Sequence, residues 1–393
     1  MAPNQGLVHL KEYDIKDSNV ELIGTDIDHQ VKYNSAATEP AWNDGRVGVE
    51  PGLLVWRIED FAVVPVPPAD YGKFYDGDSY IVLHSYRVGK EGGEASKLGH
   101  DIFFWLGAHT SQDEAGVAAY KTVELDEFLR GAATQHRELQ GSPSDEFAAL
   151  FPRITVRAGG VQSGFRHVEA DKREAVAPTL LRVFTHGRSV VVHEVEPAWQ
   201  SLDEGDVFVL DVGDKIWVWQ GAGCSPMEKA KAAQVVHDMT LAKHVDVEVL
   251  AQAESRSRLV VSLLGGKDDA PHSGFRHARP VASAATRESG GAKKLFRLSD
   301  ASGQLSFSLA KDGQPSQRDL DGNDVFILDD AGRAIWVWEG NNASRAEKAS
   351  WLKVAQAYVR RLQEDSMSEA YLTPIAKVRE GYESPAFLRA IAV

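Results

Sequence analysis

The chain has 393 residues, of which 43 are Lys or Arg and 57 are Asp or Glu, so its net charge is −14; 43% of it is hydrophobic. An acidic chain without a basic stripe is not typical of a nucleic-acid-binding protein, and no apolar run approaches the roughly 18 residues of a membrane span. The one cysteine, Cys224, excludes an internal disulfide, and the N-terminus lacks the apolar stretch of a secretory signal. These features predict a globular protein of the cytoplasm, with no transmembrane segment and no nucleic-acid partner.

The repeated part of the chain begins after an N-terminal extension, which we place at residues 1–45. From there one unit occurs three times: two short apolar segments, then a segment that opens with Ser-x-x-Glu. The copies read GDSYIVL (77–83) and DIFFWLG (101–107), GDVFVLDVGDKIWVWQG (205–221), and NDVFILDDAGRAIWVWEG (323–340). The repeat is too long for a solenoid, so it predicts three copies of one domain.

Within a copy, the pattern predicts an α+β domain. The paired segments are nearly continuously apolar, which is typical of neighbouring strands buried on both faces. The segment after them has apolar residues at helical spacing, and a sheet buried on both faces needs a helix on each. Gly, Pro, Ser and charged residues mark the linkers between copies. The predicted units are domain 1 (46–158), a linker (159–174), domain 2 (175–265), a flexible linker (266–291) and domain 3 (292–393).

Each predicted helix carries a glutamate that has two possible roles. The pairs Ser111/Glu114, Ser225/Glu228 and Ser344/Glu347 match the capping-box pattern, which gives the glutamate a purely structural role. Each glutamate is also matched by an aspartate before the first buried strand, namely Asp78, Asp206 or Asp324. Two buried carboxylates repel each other unless a cation lies between them, and Ca²⁺ prefers such oxygen ligands. Capping and calcium binding both remain open on spacing alone.

Several longer motifs carry a family resemblance that covers nearly all of the chain. They are VEPGLLVWRIEDFAVVPVP (49–67), YGKFYDGDSYIVL (71–83), FFWLGAHTSQDEAG (103–116), VELDEFLRGAATQHRELQG (123–141) and GGVQSGFRHVE (159–169). The chain resembles the gelsolin/villin family, in particular its three-domain, severin- and fragmin-like members. This resemblance implies three tandem gelsolin-like domains, each a central mixed β-sheet packed between a long and a short helix.

The resemblance also implies one calcium site in each domain, with Ca²⁺ as the cofactor. In domain 1 its ligands are the carbonyls of Gly77 and Val161 with Asp78 and Glu114; in domain 2 they are the Gly205 carbonyl, Asp206 and Glu228. In domain 3 they are the Asn323 carbonyl, Asp324, Glu347 and Glu383. The last ligand of domain 2 is not clear, and Glu254 is the nearest candidate. A further calcium ion shared between domain 1 and actin is implied at Asp126, Gly131 and Ala133.

Actin, as monomer and filament, is the partner that the resemblance implies. The domain-1 helix is expected to contact it through Tyr120, Val117 and Val123, although the same side chains could instead face their own sheet. Phe165 of the linker either lies along actin or packs on a neighbouring domain. Arg166, His167 and Arg188 are candidates for a second contact on the filament side, or are solvated surface charge. The second SGFRH, at 273–277, has no role assigned by the sequence.

The function implied is calcium-dependent severing of actin filaments and capping of their barbed ends, with monomer binding and nucleation. Two alternatives remain: a calcium-dependent capper that does not sever, and a gelsolin-domain scaffold or coat protein. The segments expected to bind phosphoinositides keep only Arg153, Arg157, Arg182 and Arg188, so lipid binding is expected to be weak. No catalytic residues are predicted, because GAGCSP (221–226) lacks a complete dinucleotide fingerprint and Cys224 has no organised base. The expected locations are the cytoplasm and the cytoskeleton.

Overall fold

In each copy of the repeat, the two apolar segments form two central strands. A long helix follows them, and a short helix comes later in the same domain. This is seen in a computed structural model that describes residues 36–88, 97–160, 178–187, 189–266, 270–281, 292–365 and 373–391. Some of the predicted site residues lie outside these ranges: Val161, Phe165, Arg166, His167 and Arg188. Among the described residues, no helix combines the length and apolar composition needed to cross a bilayer.

Domain 1 contains the longest strands of the repeat. Its elements are Gly52–Glu59 (β1), Ala62–Pro65 (β2), Lys73–Tyr75 (β3), Ser79–Val88 (β4), Lys97–Leu106 (β5), Gln112–Phe128 (α1), Ala133–Leu139 (β6), Asp145–Ala149 (α2) and Ile154–Arg157 (β7). Strands β1, β4 and β5 pair antiparallel, and β6 runs parallel to β5, so the sheet is mixed as expected.

Domains 2 and 3 repeat this order with shorter strands. Domain 2 has Thr179–His186 (β8), Ser189–Val195 (β9), Val207–Asp211 (β10), Lys215–Gln220 (β11), Pro226–Lys243 (α3), Asp246–Ala251 (β12) and Arg258–Leu263 (α4). Domain 3 has Lys293–Ser299 (β13), Ser306–Gly313 (β14), Val325–Asp329 (β15), Ile335–Glu339 (β16), Arg345–Asp365 (α5), Ile375–Arg379 (β17) and Pro385–Ile391 (α6).

The central strands are buried on both faces, which confirms the predicted layers. Every residue of β10, β15 and β16 is buried. In domain 3, one face of the sheet packs on Ala355 and Val359 of α5, and the other packs on Phe387 of α6. The turns before β11 and β16 use an aspartate that accepts a hydrogen bond from a glycine amide: Asp211 from Gly213 at 2.9 Å and Asp329 from Gly332 at 2.7 Å. Both glycines have positive φ, a conformation that glycine adopts without steric cost.

The sheets of different domains are continuous with one another, which the repeat did not predict. In the described residues, β17 of domain 3 pairs antiparallel with β6 of domain 1, and this joins two sheets into one of ten strands. Strands β3 and β7 of domain 1 extend the domain-2 sheet in the same way, through the parallel pairing of β7 with β9. Strand edges that would otherwise be exposed are thus paired within the molecule.

Residues 270–281 fall within the predicted flexible linker, but Phe275 anchors them to domain 2. Phe275 is 4% exposed and lies edge-on to Trp219, with ring centroids 5.5 Å apart. Its backbone carbonyl accepts a hydrogen bond from the amide of Glu204. The composition of the linker suggested flexibility, but one buried aromatic ring and several charged side chains are enough to order this segment.

Candidate metal centres and partner surface

The three aspartates that precede the central strands are buried, and an arginine of the same sheet neutralises each one. Their side chains are at most 3% exposed. Arg57 lies 2.7 Å from Asp78, and Arg182 lies 2.6 Å from Asp206. In domain 3, the Nε atom of Arg297 donates to Asp324 at 2.8 Å. A buried carboxylate is costly to desolvate without such a partner, so the arginines stabilise the three sites.

These arginines were missed by the sequence reasoning, although the sequence contains a signal for them. Each one interrupts an apolar run, in VWRIE, LLRVF and LFRLS. Each also stands opposite the aromatic residue that lies two positions after its aspartate: Arg57 opposite Tyr80, Arg182 opposite Phe208 and Arg297 opposite Phe326. Side chains alternate across a strand, so this register places the arginine and the aspartate on one face of the sheet.

All three predicted serines cap their helices, and two of the three glutamates complete the capping box. In α3, Ser225 and Glu228 form a reciprocal capping box. Ser344 and Glu347 make the same two hydrogen bonds before α5, at 2.9 and 3.2 Å. Glu114 differs, because its carboxylate accepts from the hydroxyl of Thr110 at 3.1 Å. Capping uses one oxygen of Glu228 and of Glu347.

The other oxygen of the capping glutamates faces the strand that carries the arginine. Glu228 Oε1 accepts from the amide and the hydroxyl of Thr185 in β8, both at 2.8 Å. Glu347 Oε1 accepts from the amide of Asp300, directly after β13, at 2.8 Å. Burial raises the pKa of Glu347, and the charges of Asp300 and Asp324 act in the same direction. The carboxylates of Asp324 and Glu347 are therefore close enough to repel each other.

In domain 1, the start of the linker runs directly over Asp78. The amide of Gly77 donates to the carbonyl of Gly159 at 2.7 Å. A Cβ atom on Gly160 would lie 2.4 Å from the Asp78 carboxylate, so only glycine fits there. The predicted ligand Val161 is the next residue, and it lies outside the described part of the chain.

Asp126, Gly131 and Ala133 lie close together at the end of α1 and the start of β6. The Asp126 carboxylate accepts from the amide of Ala133 at 3.0 Å, and its backbone carbonyl accepts from the amide of Gly131 at 2.8 Å. Burial raises the pKa of Asp126 to about 6, and the positive charge of Lys377 in domain 3 acts in the opposite direction. A Cβ on Gly131 would come within 3.0 Å of the Arg379 guanidinium. Domain 3 therefore lies against this cluster.

The carboxylates considered as last ligands in domains 2 and 3 are engaged elsewhere. Glu383 accepts from the indole of Trp338 at 2.9 Å and from the amide of Gly381 at 3.1 Å. Glu254 accepts from the amide of Ala251 at 2.9 Å. In domain 2, Asp206 instead has a second cationic partner, Arg279, whose guanidinium lies 2.6 Å from Oδ1.

The chemistry of these donors fits a hard cation in domains 1 and 3. Each of these domains has a buried aspartate and a buried glutamate, and Ca²⁺ binds carboxylate and carbonyl oxygens. Among the described residues, no group of three or more His, Cys, Asp or Glu side chains converges, so backbone carbonyls would complete the coordination. Domain 2 has the same carboxylate pair, but Arg279 lies beside it.

Comparisons with known proteins agree with this repeated geometry. A family model described as the gelsolin repeat matches residues 60–148, 188–260 and 306–388. The chain is 37% identical to Gelsolin-like protein 1 of Lumbricus terrestris, over 98% of this chain and 99% of the relative. It is 36% identical to Severin of Echinococcus granulosus, over 90% of this chain and 92% of the relative.

The chain belongs to the gelsolin family. Identity to Gelsolin of Gallus gallus is 37%, over 87% of this chain but only 42% of that longer relative. The family predicted from the motifs is thus confirmed, as are its three tandem domains.

Helix α1 of this gelsolin-family chain has one exposed aromatic side chain. Tyr120 is 53% exposed, whereas Val117 packs partly against the domain-1 core, and Val123 is also half-buried. Trp42, from the predicted N-terminal extension, donates to Glu124 at 3.1 Å and is buried in the same core. Of the three residues predicted to contact a partner, Tyr120 is the one that offers most of its surface to solvent.

The basic residues considered for lipid binding are mostly neutralised within the molecule. Arg153 pairs with Asp238, and Arg157 pairs with Glu194. Arg182 is 1% exposed and binds Asp206. An anionic surface would have to compete with these carboxylates for the arginines.

Proposed function

We propose that this chain is a calcium-dependent protein of the cytoplasm and cytoskeleton that severs actin filaments, caps their barbed ends, and binds and nucleates actin monomers. The observation that carries the proposal is the threefold pair of a buried aspartate before a central strand and a buried glutamate in the first turn of the long helix. In domain 1 the glutamate, Glu114, belongs to helix α1, which presents Tyr120 to solvent. Membership of the gelsolin family, with relatives of the same length, supports the reading.

The contact between domains 1 and 3 supports calcium dependence. Lys377 of β17 lies directly opposite Gln135 of β6, and Gln135 donates to Asp126 at 2.7 Å. The cluster implied to meet actin is therefore covered by domain 3 in this arrangement. On this proposal, domain 3 leaves β6 when actin binds at Asp126, Gly131 and Ala133.

Calcium would act on the arginine–aspartate pairs, because it would replace the arginine as the partner of the aspartate. Bound Ca²⁺ would supply two positive charges between an aspartate and a glutamate, where guanidinium groups now neutralise the aspartate: Arg57 in domain 1, Arg182 with Arg279 in domain 2, and Arg297 in domain 3. Arg57, Arg182 and Arg297 each belong to a strand of their own domain, so a change of partner at Asp78, Asp206 or Asp324 alters the start of the neighbouring central strand. A ligand favours whichever domain arrangement it binds better.

The decisive experiment images single surface-tethered actin filaments with the purified protein, first in calcium and then in excess chelator. We expect internal breaks only in calcium, followed by barbed ends that no longer grow. Asp126→Asn should weaken both effects, and Arg318→Gln, on the domain-3 surface, serves as the matched control. Arrest of growth without breaks would identify a capper. The absence of both effects at every calcium concentration would overturn the proposal in favour of a scaffold.

A further inference from the structure

The buried aspartate of domain 2 is held by two guanidinium groups that come from different parts of the chain. Arg182 of β8 binds Asp206 Oδ2 at 2.6 Å. Arg279, which follows the domain in sequence, binds Asp206 Oδ1 at 2.6 Å. Arg182 is 1% exposed and Arg279 is 37% exposed. Arg182 is thus a fixed part of the domain, whereas Arg279 reaches the same carboxylate from the surface.

Arg279 makes the contacts that a metal cation would make at this place. Its second nitrogen donates to the backbone carbonyl of Thr185 at 3.0 Å. The amide and hydroxyl of the same residue donate to Glu228 Oε1, so Thr185 contacts both the Arg279 guanidinium and the second carboxylate predicted to bind calcium. A carboxylate oxygen and a backbone carbonyl are also the ligands that Ca²⁺ prefers. The guanidinium and the metal therefore compete for the Asp206 carboxylate.

The segment that carries Arg279 connects domain 2 to the rest of the molecule. Its first half is anchored by Phe275 in the domain-2 core and by the amide of Gly274, which donates to Glu204 at 3.0 Å. The amide of His277 donates to Asp203 at 3.0 Å. Val281, two residues after Arg279, packs in a cluster with Phe147 and Phe184 of domains 1 and 2. Arg279 thus lies between an anchor on domain 2 and the chain that leads to domain 3.

We propose that Arg279 is a built-in competitor of Ca²⁺ at the domain-2 site, so that calcium binding there and release of residues 278–281 are one event. The inference rests on the proposed function in that domain 2 takes up calcium. Because only molecules with Arg279 displaced can bind the metal, the apparent affinity of this site is reduced by the fraction that is displaced. Calcium at domain 2 thereby loosens the tether that leads to domain 3.

The test measures calcium binding to the full chain by isothermal titration calorimetry. Glu114→Gln and Glu347→Gln weaken the other two sites, so that domain 2 keeps both carboxylates. In this background, Arg279→Gln should tighten calcium binding by about tenfold or more, since it removes the competing charge. The matched control is Arg276→Gln. Arg276 is 71% exposed and lies 3.1 Å from Glu204, and its loss should leave the affinity unchanged.

A second measurement follows hydrogen–deuterium exchange in residues 270–281. We expect faster exchange in wild-type protein when calcium is added, and faster exchange in Arg279→Gln even with chelator present. Arg279→Lys keeps the charge and should behave closer to wild type. The inference would be overturned if Arg279→Gln, Arg276→Gln and the parent bound calcium with equal affinity. It would also be overturned if calcium did not change the exchange rate in residues 270–281.

The outcomes separate this inference from the proposed function. Calcium binding and exchange are measured without actin, so a protein that neither severs nor caps can still show the Arg279 effect. Conversely, the protein could sever filaments in calcium while Arg279→Gln leaves its calcium affinity unchanged. That result would support the proposed function and exclude Arg279 as a competitor of calcium.

Discussion

At the scale of single residues, buried carboxylates in this chain are stabilised in two different ways. Asp78, Asp206 and Asp324 each face an arginine. Glu138 of β6 is fully buried and instead accepts hydrogen bonds from the hydroxyl and amide of Ser144, at 2.7 and 2.8 Å. Burial raises the pKa of Glu138 to about 7, and the two Ser144 hydrogen bonds only partly oppose it. Glu138 is thus kept neutral by a proton, whereas the three aspartates are neutralised by an arginine.

Glu138 makes folding stability depend on pH. Its pKa is about 7 in the folded chain and 4.5 ordinarily, so between these values the folded state holds a proton that the unfolded state lacks. Stability contributed by this group is therefore present below about pH 4.5 and lost as the pH rises towards 7, by about 3 kcal/mol in all. Glu138→Gln should remove this slope. The urea midpoints of unfolding at pH 5 and pH 8 measure this pH dependence in wild type and variant. An equal change in midpoint between the two pH values in both proteins would contradict the assignment to Glu138.

At the scale of elements, three helices share one capping pattern but present different surfaces. Helices α3 and α5 have the reciprocal capping box, whereas Glu114 of α1 accepts from Thr110. Leu125 and Ala118 of α1 are fully buried against the domain-1 sheet, and Tyr120 projects to solvent. A large exposed aromatic ring on a well-anchored helix is suited to insertion into a groove on a partner.

Tyr120→Ala should weaken binding to monomeric actin by at least about tenfold with little effect on stability, because the ring is 53% exposed. Fluorescence titration of labelled actin in calcium measures the affinity. Leu125→Ala is the contrasting variant from the same helix. It is fully buried, so it should lower the free energy of unfolding by about 2–5 kcal/mol. Unchanged actin affinity in Tyr120→Ala would remove this side chain from the interface.

At the scale of the whole molecule, pairing of β6 with β17 is what joins the first domain to the last. The contact covers Gln135 to Arg137 on one side and Ile375 to Lys377 on the other. His136 adds an edge-on contact with Trp336 of domain 3, with ring centroids 5.8 Å apart. A few residue pairs therefore hold two domains whose sequences lie at opposite ends of the described chain.

A reversible covalent lock between the two strands tests whether they must separate. Gln135→Cys and Lys377→Cys place two thiols directly opposite each other in an antiparallel pair, close enough for a disulfide. With Cys224→Ser to remove the native thiol, the oxidised protein should lose calcium-dependent actin binding and regain it on reduction. Co-sedimentation with filaments measures this. The reduced protein is the control, and equal binding in both states would show that domain 3 need not leave β6.

Much of the fold could be predicted from sequence because it rests on local patterns. The apolar runs predicted the central strands, and the Ser-x-x-Glu pattern predicted where the long helices begin. Arg57, Arg182 and Arg297 were missed because an arginine within a strand is usually a surface residue. Arg279 was missed because linker composition hides tertiary contacts. The pairing of β6 with β17 could not be predicted, since edge register between distant domains leaves no periodic signal.

The joined sheet also has a consequence for synthesis of the chain. Strand β6 is complete long before β17, which follows more than two hundred residues later. At roughly 5–20 residues per second, the ribosome takes on the order of tens of seconds to cover that distance. During this interval the nascent first domain presents β6 as an unpaired edge, with Asp126 beside it. Such edges recruit other strands, so the growing polypeptide needs a chaperone or rapid completion of its third domain to avoid premature association.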